Sequence, residues 1–229
     1  MTQILDSASL PTAKPIGDAF QEIYASDFWT LGSGPGSLAA VNRPFITFLE
    51  AFIRENRIAS IVDFGCGDWQ YMSRVDLNGA NYLGLDVVNQ VLIENTRQHC
   101  RSNVKFACTP DDLVDLPEGD LIVFKDVLVH LPNAYVANAL AHARRKYRFL
   151  LAVNNFSADP AAYNRDIKFG DFRPVDLSLA PFSVPCATVL RYGTLRVPDP
   201  RLPWLVAVLG RRFVWPGLKH VQLALGIQT

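Results

Sequence analysis

The chain has 229 residues, 49% of them apolar, with 22 basic and 22 acidic side chains. That length suits one sizeable core in a single domain, and the neutral balance excludes the basic excess of a dedicated nucleic-acid binder. No run approaches the roughly 18 apolar residues of a membrane-spanning helix, and Cys66, Cys100, Cys108 and Cys186 lack the C-x-x-C spacing of a zinc or redox site.

Residues 1–18 mix polar and apolar types around two prolines and read as a loose arm. They lack the basic-then-apolar pattern of a signal peptide, so a cytoplasmic protein with reduced thiols is expected. Residues 19–29 read as a short helix. Gly32-Ser33-Gly34-Pro35-Gly36-Ser37 is too flexible for a regular element. Ser37 can cap the next helix, whose apolar face is Phe45, Phe48, Leu49, Phe52 and Ile53 and whose end is Asn56. Strands and helices then alternate. A β-branched strand at 59–64 ends in Gly65-Cys66-Gly67. A strand at 82–87 leads into a helix at 88–100 with Val91, Leu92 and Asn95 on one side. Strands at 104–108 and 120–124 follow, then a helix from Pro132 to 146 and a strand at 147–153. This rhythm predicts an α/β fold, a doubly wound and mostly parallel sheet with helices on both faces.

Beyond Asn154 the rhythm fails. Pro160, Pro174, Pro181, Pro185, Pro198, Pro200 and Pro203 crowd together and predict a proline-rich C-terminal cap of wrapping loops. Short strands are expected at 187–191 and 220–227, the last closing a sheet edge. The expected division is an N-terminal arm with lid helices over 1–57 and one domain over 58–229, with the cap at 157–219. The apolar run at 204–209 is either core or a contact in a homodimer. Arg144, Arg145, Lys146 and Arg148 read as a solvated helix end.

Ligands of open α/β sheets bind beyond the carboxyl ends of the strands, where strand order reverses. Gly65 and Gly67 let the backbone approach a ligand there. Asp86 ends the second strand, 19 residues after Gly67, where an acid can accept both hydroxyls of a ribose. The pair points to a nucleoside. Gln70 stands where a G-x-G-x-x-G loop has its third glycine, and Asp68 would repel a pyrophosphate. Asp68 would tolerate the cationic methionine end of S-adenosylmethionine (SAM), so charge favours SAM over NAD.

Val62-Asp63-Phe64-Gly65-Cys66-Gly67-Asp68-Trp69, then Gly84-Leu85-Asp86, then the stretch from Asp120 through Lys125-Asp126-Val127-Leu128-Val129-His130-Leu131 resemble the successive motifs of class I SAM-dependent methyltransferases. The resemblance spans residues 58–156 and implies a Rossmann-like fold, SAM as cofactor and S-adenosylhomocysteine (SAH) as product. It implies that Asp63 supports the cofactor's amino group through the loop. Gly65, Cys66 and Gly67 would pass beside the methionine portion, with Lys125 also on the cofactor, and Asp86 would hold the ribose. Thr109-Pro110-Asp111-Asp112 would frame adenine, with Asp111 favoured for the amine. A subgroup with a similar Trp and Gly-Ser-Gly-x-Gly-Ser segment before its first strand implies that Trp29, Ser33, Gly34 and Ser37 form a cofactor lid; an ordinary linker is the alternative.

Methyl transfer is an in-line attack that needs an aligned acceptor and, for a hydroxyl or protonated amine, a base. Histidine has a suitable pKa, and a helical turn would bring His130 to Asp126. These two are the catalytic candidates. Asn154 and Asn155 follow the fifth strand, and Arg173 can pair an acceptor carboxylate; they are the substrate-binding candidates. No carboxylate triad suggests a metal. The expected reaction moves a methyl group to an oxygen or nitrogen of a small molecule or glycan. Asn-Pro-Pro-Tyr-type signatures are absent after the fourth strand, so no nucleic-acid substrate is expected. The rival readings are an NAD(P)-dependent oxidoreductase and a non-catalytic SAM-binding scaffold.

Overall fold

A computed structural model describes residues 16–26, 32–195 and 216–227. Trp29 and the apolar run at 204–209 lie outside the described residues.

Helices α1 (Ile16–Ala25) and α2 (Arg43–Glu55) precede the first strand. The alternating part follows as β1 (Ser60–Phe64), β2 (Asn81–Asp86), α3 (Asn89–His99), β3 (Val104–Cys108), β4 (Gly119–Lys125), α4 (Asn133–Lys146) and β5 (Tyr147–Asn155). The chain ends with β6 (Cys186–Leu195) and β7 (Pro216–Leu225). The sheet order is β3-β2-β1-β4-β5-β7-β6. The first five strands run parallel, and β7 is antiparallel to both its neighbours.

The period of two along each strand divides the core. Val62, Phe64, Ile122, Phe124, Leu150 and Ala152 face α4, which buries Val136, Ala139, Leu140 and Ala143. Ile61, Leu121, Val123, Leu151 and Val153 face α2, which buries Phe45, Leu49 and Ile53 completely. Burial on both faces explains why these strands read as near-continuous apolar runs. Pro44 lies in the first turn of α2, where its missing N–H costs nothing. Among the described residues no helix is long and apolar enough to cross a membrane.

The last two strands, expected at 187–191 and 220–227, run over Cys186–Leu195 and Pro216–Leu225, and three further features differ from expectation. Helix α1 begins at Ile16, whose side chain packs against the core. Strand β5 continues to Asn155 because β7 pairs with it as far as Asn155↔Lys219. The last strand is not the edge. Strand β7 lies inside the sheet and buries Val221 and Ala224, whereas β6 exposes Ala187, Thr188, Val189 and Arg191 at the margin.

The cap between β5 and β6 is organised from within. Asn164 adopts φ +55, a conformation that asparagine tolerates better than most residues. Its Nδ2 donates to the carbonyls of Asp176 (2.8 Å) and Ala180 (3.0 Å), and its Oδ1 accepts from the Asp176 amide at 3.0 Å. Asn164→Ala strands these buried groups, each costing about 1–3 kcal/mol. Urea unfolding should report a loss of about 2–4 kcal/mol, and a loss below about 1 kcal/mol would show that the cap is held elsewhere.

Candidate functional site

A cavity of about 500 Å³ lies at the carboxyl ends of the parallel strands, where the order reverses between β1 and β4. That volume falls within the roughly 300–1,000 Å³ of small-molecule sites. One wall is the loop after β1. Gly65 has φ +74, and a Cβ there would come within 2.5 Å of Val127 Cγ2; Gly67 has φ +54, and its Cβ would come within 2.3 Å of Ser33 Oγ. Both positions therefore demand glycine. Every amide of the turn has a protein acceptor. Gly65 N and Cys66 N donate to the Leu85 carbonyl at 2.8 and 2.9 Å. Gly67 N donates to Asp86 Oδ2 at 2.9 Å, and Asp68 N to Ser33 Oγ at 2.8 Å.

Asp86 lies on the cavity wall and also accepts from Val88 N at 3.0 Å. Burial raises its carboxyl above the usual range, against the pull of the Val88 and Gly67 amides. Thr109, Val87 and Leu131 line the cavity with it. Asp111 does not; it is exposed on the loop beyond Thr109. Asp112 is occupied as a cap, accepting from Val114 N at 3.0 Å.

The Gly-Ser segment folds onto the opening. Ser33, Gly34, Gly36 and Ser37 line the cavity. Ser33 N donates to Asp68 Oδ2 at 3.0 Å, and Ser33 Oγ lies 2.7 Å from the Tyr24 hydroxyl on α1. Ser37 Oγ donates to the Ser33 carbonyl at 3.0 Å, and Lys125 Nζ to the Gly36 carbonyl at 3.1 Å. Gly32 adopts φ +77, which favours glycine, and a Cβ there would displace the Asp68 carboxylate, whose Oδ2 would lie 2.1 Å away. Ser37 does not cap α2; Asn42 Nδ2 instead holds the Gly36 and Leu38 carbonyls at 2.7 and 2.8 Å.

Asp63 sits behind the wall. Its Oδ2 accepts from the Tyr82 hydroxyl at 2.8 Å and the Tyr71 hydroxyl at 3.3 Å, and its buried Oδ1 meets no protein donor. Tyr71 does line the cavity, with Lys125 Nζ 4.8 Å above its ring. Burial, partly offset by the two phenols and Lys125, raises the Asp63 carboxyl from 3.8 to about 6.

The charged end is built on Asp126, which adopts φ +58 directly after β4. Its Oδ2 accepts from Lys125 Nζ at 2.6 Å, and its Oδ1 accepts from Lys219 Nζ. Lys219 also donates to Asn155 Oδ1 at 2.9 Å. Burial alone would raise the Asp126 carboxyl; the two ammonium groups overcome it and hold the carboxyl well below the usual range. His130 lines the cavity at the end of a single helical turn, Leu128–His130. Its Nδ1 lies 2.8 Å from the Asp171 carbonyl, and its ring centroid lies 5.8 Å from that of Phe172, another wall residue that is 54% exposed. Burial lowers the imidazole below its usual 6.5.

The structure thus brings Ser33, Gly34, Ser37, Gly65, Cys66, Gly67, Asp86, Lys125, Asp126, His130 and Asn155 onto one cavity. Two expected substrate residues lie elsewhere. Asn154 is fully buried off the wall, and neither end of its amide meets a protein partner. Arg173 is also fully buried. Its guanidinium donates to the carbonyls of Leu128 (2.5 Å), Leu131 (2.7 Å) and Arg165 (3.2 Å) and to Asn133 Oδ1 (2.9 Å). With those partners it is a strut, not a surface cation awaiting a carboxylate. Thr109, expected beside adenine, lines the cavity, whereas sequence reasoning missed Tyr24, Tyr71 and Lys219.

No family model and no curated protein matches the chain. The fold is that of the class I SAM-dependent methyltransferases. A SAM-dependent methyltransferase from Anabaena variabilis ATCC 29413 superposes with a TM-score of 0.57 at 14% identity, covering 95% of this chain and 100% of that one. Magnesium protoporphyrin IX methyltransferase from Synechocystis PCC 6803, with bound SAM, gives 0.55 at 14% identity over 94% and 100%. The N-methyltransferase NodS of Bradyrhizobium japonicum WM9, in complex with SAH, gives 0.53 at 13% over 80% and 87%.

The raised carboxyl of Asp63 has a consequence for stability. The folded chain holds this proton more tightly than the unfolded chain between pH 3.8 and about 6, so stability falls as pH rises through that window. The full change is about 3 kcal/mol, from about 1.4 kcal/mol per unit. Asp63→Asn, which still accepts from both phenols, should flatten the decline in urea midpoint between pH ~4 and ~6.5. An unaltered slope would assign the ionisation to another group.

Proposed function

We propose that the chain is a SAM-dependent methyltransferase that methylates an oxygen or nitrogen of a small molecule or glycan and releases SAH. The observation that carries this reading is the saturation of the loop after β1. The amides of residues 65–68 are all bound within the protein, so a pyrophosphate would find no donors there. Among the described residues, β1 is followed only by the one-turn helix Met72–Arg74, and a dinucleotide site needs a helix N-terminus. A nucleoside without phosphates suits this wall.

Asp86 would accept the ribose hydroxyls. Val87, Thr109 and Leu131 beside it offer a mainly apolar slot for adenine. The methionine portion would lie along Gly65, Cys66 and Gly67 toward Lys125. Asp63 would act on it from behind the loop, and the Gly-Ser segment would serve as a lid that excludes water. Bound SAM supplies an electrophilic methyl group. The protein's own task is to align the acceptor and to remove its proton.

His130 is suited to that task. A carbonyl oxygen only accepts, so the contact with Asp171 places the proton on Nδ1. In the neutral ring Nε2 is then the basic nitrogen. Burial keeps the ring neutral near pH 7, the form a base requires. Asp126, Lys219 and Asn155 form the polar floor on the acceptor side. The four cysteines are unpaired, which suits a reducing cytoplasm.

Calorimetry with SAM, SAH and NAD tests the cofactor. SAM and SAH should bind and NAD should not; binding of NAD alone would sink the reading. Asp86→Asn should weaken SAH binding by about 1–3 kcal/mol, or about 5- to 150-fold. His130→Gln should slow methyl transfer by about 100- to 10,000-fold at nearly unchanged SAH affinity. Full turnover in that variant would remove the base role.

A further inference from the structure

The turn that carries His130 is held from outside. The carbonyls of four consecutive residues, 128 to 131, all accept hydrogen bonds from residues 170–173. Arg173 Nη1 binds Leu128 O at 2.5 Å, Arg173 N binds Val129 O at 3.1 Å, Gly170 N binds His130 O at 2.9 Å and Arg173 Nη2 binds Leu131 O at 2.7 Å. A fifth contact fixes the side chain itself, His130 Nδ1 to the Asp171 carbonyl at 2.8 Å. Arg173 itself does not line the cavity. A fully buried cation is costly unless its donors are used, and here two of its four guanidinium bonds go to this one short turn, the others to the Arg165 carbonyl and Asn133 Oδ1.

We propose that Arg173 is a positioning residue for His130. Through the 170–173 clasp it fixes the turn's path, locks the imidazole in the Nδ1–H tautomer and leaves Nε2 as the basic nitrogen toward the cavity. The inference rests on the reading of His130 as the base. Its role differs from simple cap stability because it predicts a tautomer. Asp126, Lys219 and Arg173 are the charged groups acting on the ring. None of them fixes a tautomer; among the described residues the Asp171 carbonyl, held in place by the clasp, does so.

Nitrogen-15 NMR of histidine-labelled protein, with His130→Gln to assign the signal, reads this directly. The wild-type His130 should show a protonated Nδ1, an unprotonated Nε2 and a pKa below that of a free imidazole. In Arg173→Gln the two nitrogen shifts should move toward the average of exchanging tautomers and the pKa should rise. SAH affinity by calorimetry should stay within about twofold. If Arg173→Gln does not fold, Gly170→Ala loosens the clasp from its other end, because φ +88 and a Cβ 2.6 Å from Ile23 Cδ1 both resist the change. It should produce the same shift pattern. A wild-type Nε2–H tautomer, or an unmoved signal in the folded variant, overturns the proposal. Failure of SAH to bind the wild-type chain would instead overturn the methyltransferase reading and leave the tautomer result standing.

Discussion

A carboxylate between two ammonium groups fixes the polar end of the cavity. Asp126 joins Lys125 on β4 to Lys219 on β7, 93 residues away in sequence. Burying any one of these charges alone would cost several kcal/mol. Together they constrain three elements at once. Strand β7 must reach far enough for Lys219 to arrive, which extends β5 to Asn155. The backbone must turn at φ +58 directly after β4. The Gly-Ser segment must come down far enough for Gly36 to accept from Lys125. A triad of this kind contributes little net stability compared with an apolar replacement; its effect is to specify one arrangement of the strand ends.

The same economy governs the opposite end. Asp86 spends one oxygen on Gly67 N and the other on Val88 N, so a single side chain shapes the loop after β1 and caps the approach to α3. Asn95 on α3 completes the loop by donating to the Gly67 carbonyl at 2.7 Å. Trp69, at φ +58, then leaves the wall and packs against Tyr82 and Phe106. The helix expected after the first strand of a dinucleotide fold is replaced by this aromatic anchor and by the Gly-Ser segment above it.

The parts of this architecture legible in the sequence are those encoded locally. β-branched runs ending in glycine or aspartate mark β1 and β2, and helical spacing of phenylalanines marks α2. Asp63, Gly65, Gly67 and Asp86 are readable because a short motif and one fixed interval carry them. Arg173 and Asn154 misled because polarity suggests exposure, and only the fold reveals that four acceptors surround the guanidinium. Asp111 misled by one short step, since the cavity ends at Thr109. Lys219 and Tyr24 were invisible for a different reason: each meets its partner through long-range pairing or helix docking that no local pattern encodes.

The Gly-Ser segment is held against the cavity by a small set of contacts. Ser33 N to Asp68, Ser33 Oγ from Asp68 N, and Lys125 to the Gly36 carbonyl bridge it to the loop after β1 and the end of β4. Each such bond is worth about 0.5–1.5 kcal/mol net, or more where a charge takes part. These few bonds are small beside the interactions that hold the sheet, so the segment is tied down locally and not by a core of its own. Asp68 lies at the junction. Its Oδ2 serves Ser33 N and also accepts from Gln70 Nε2 at 2.5 Å, so the acid that would repel a pyrophosphate also anchors the Gly-Ser segment.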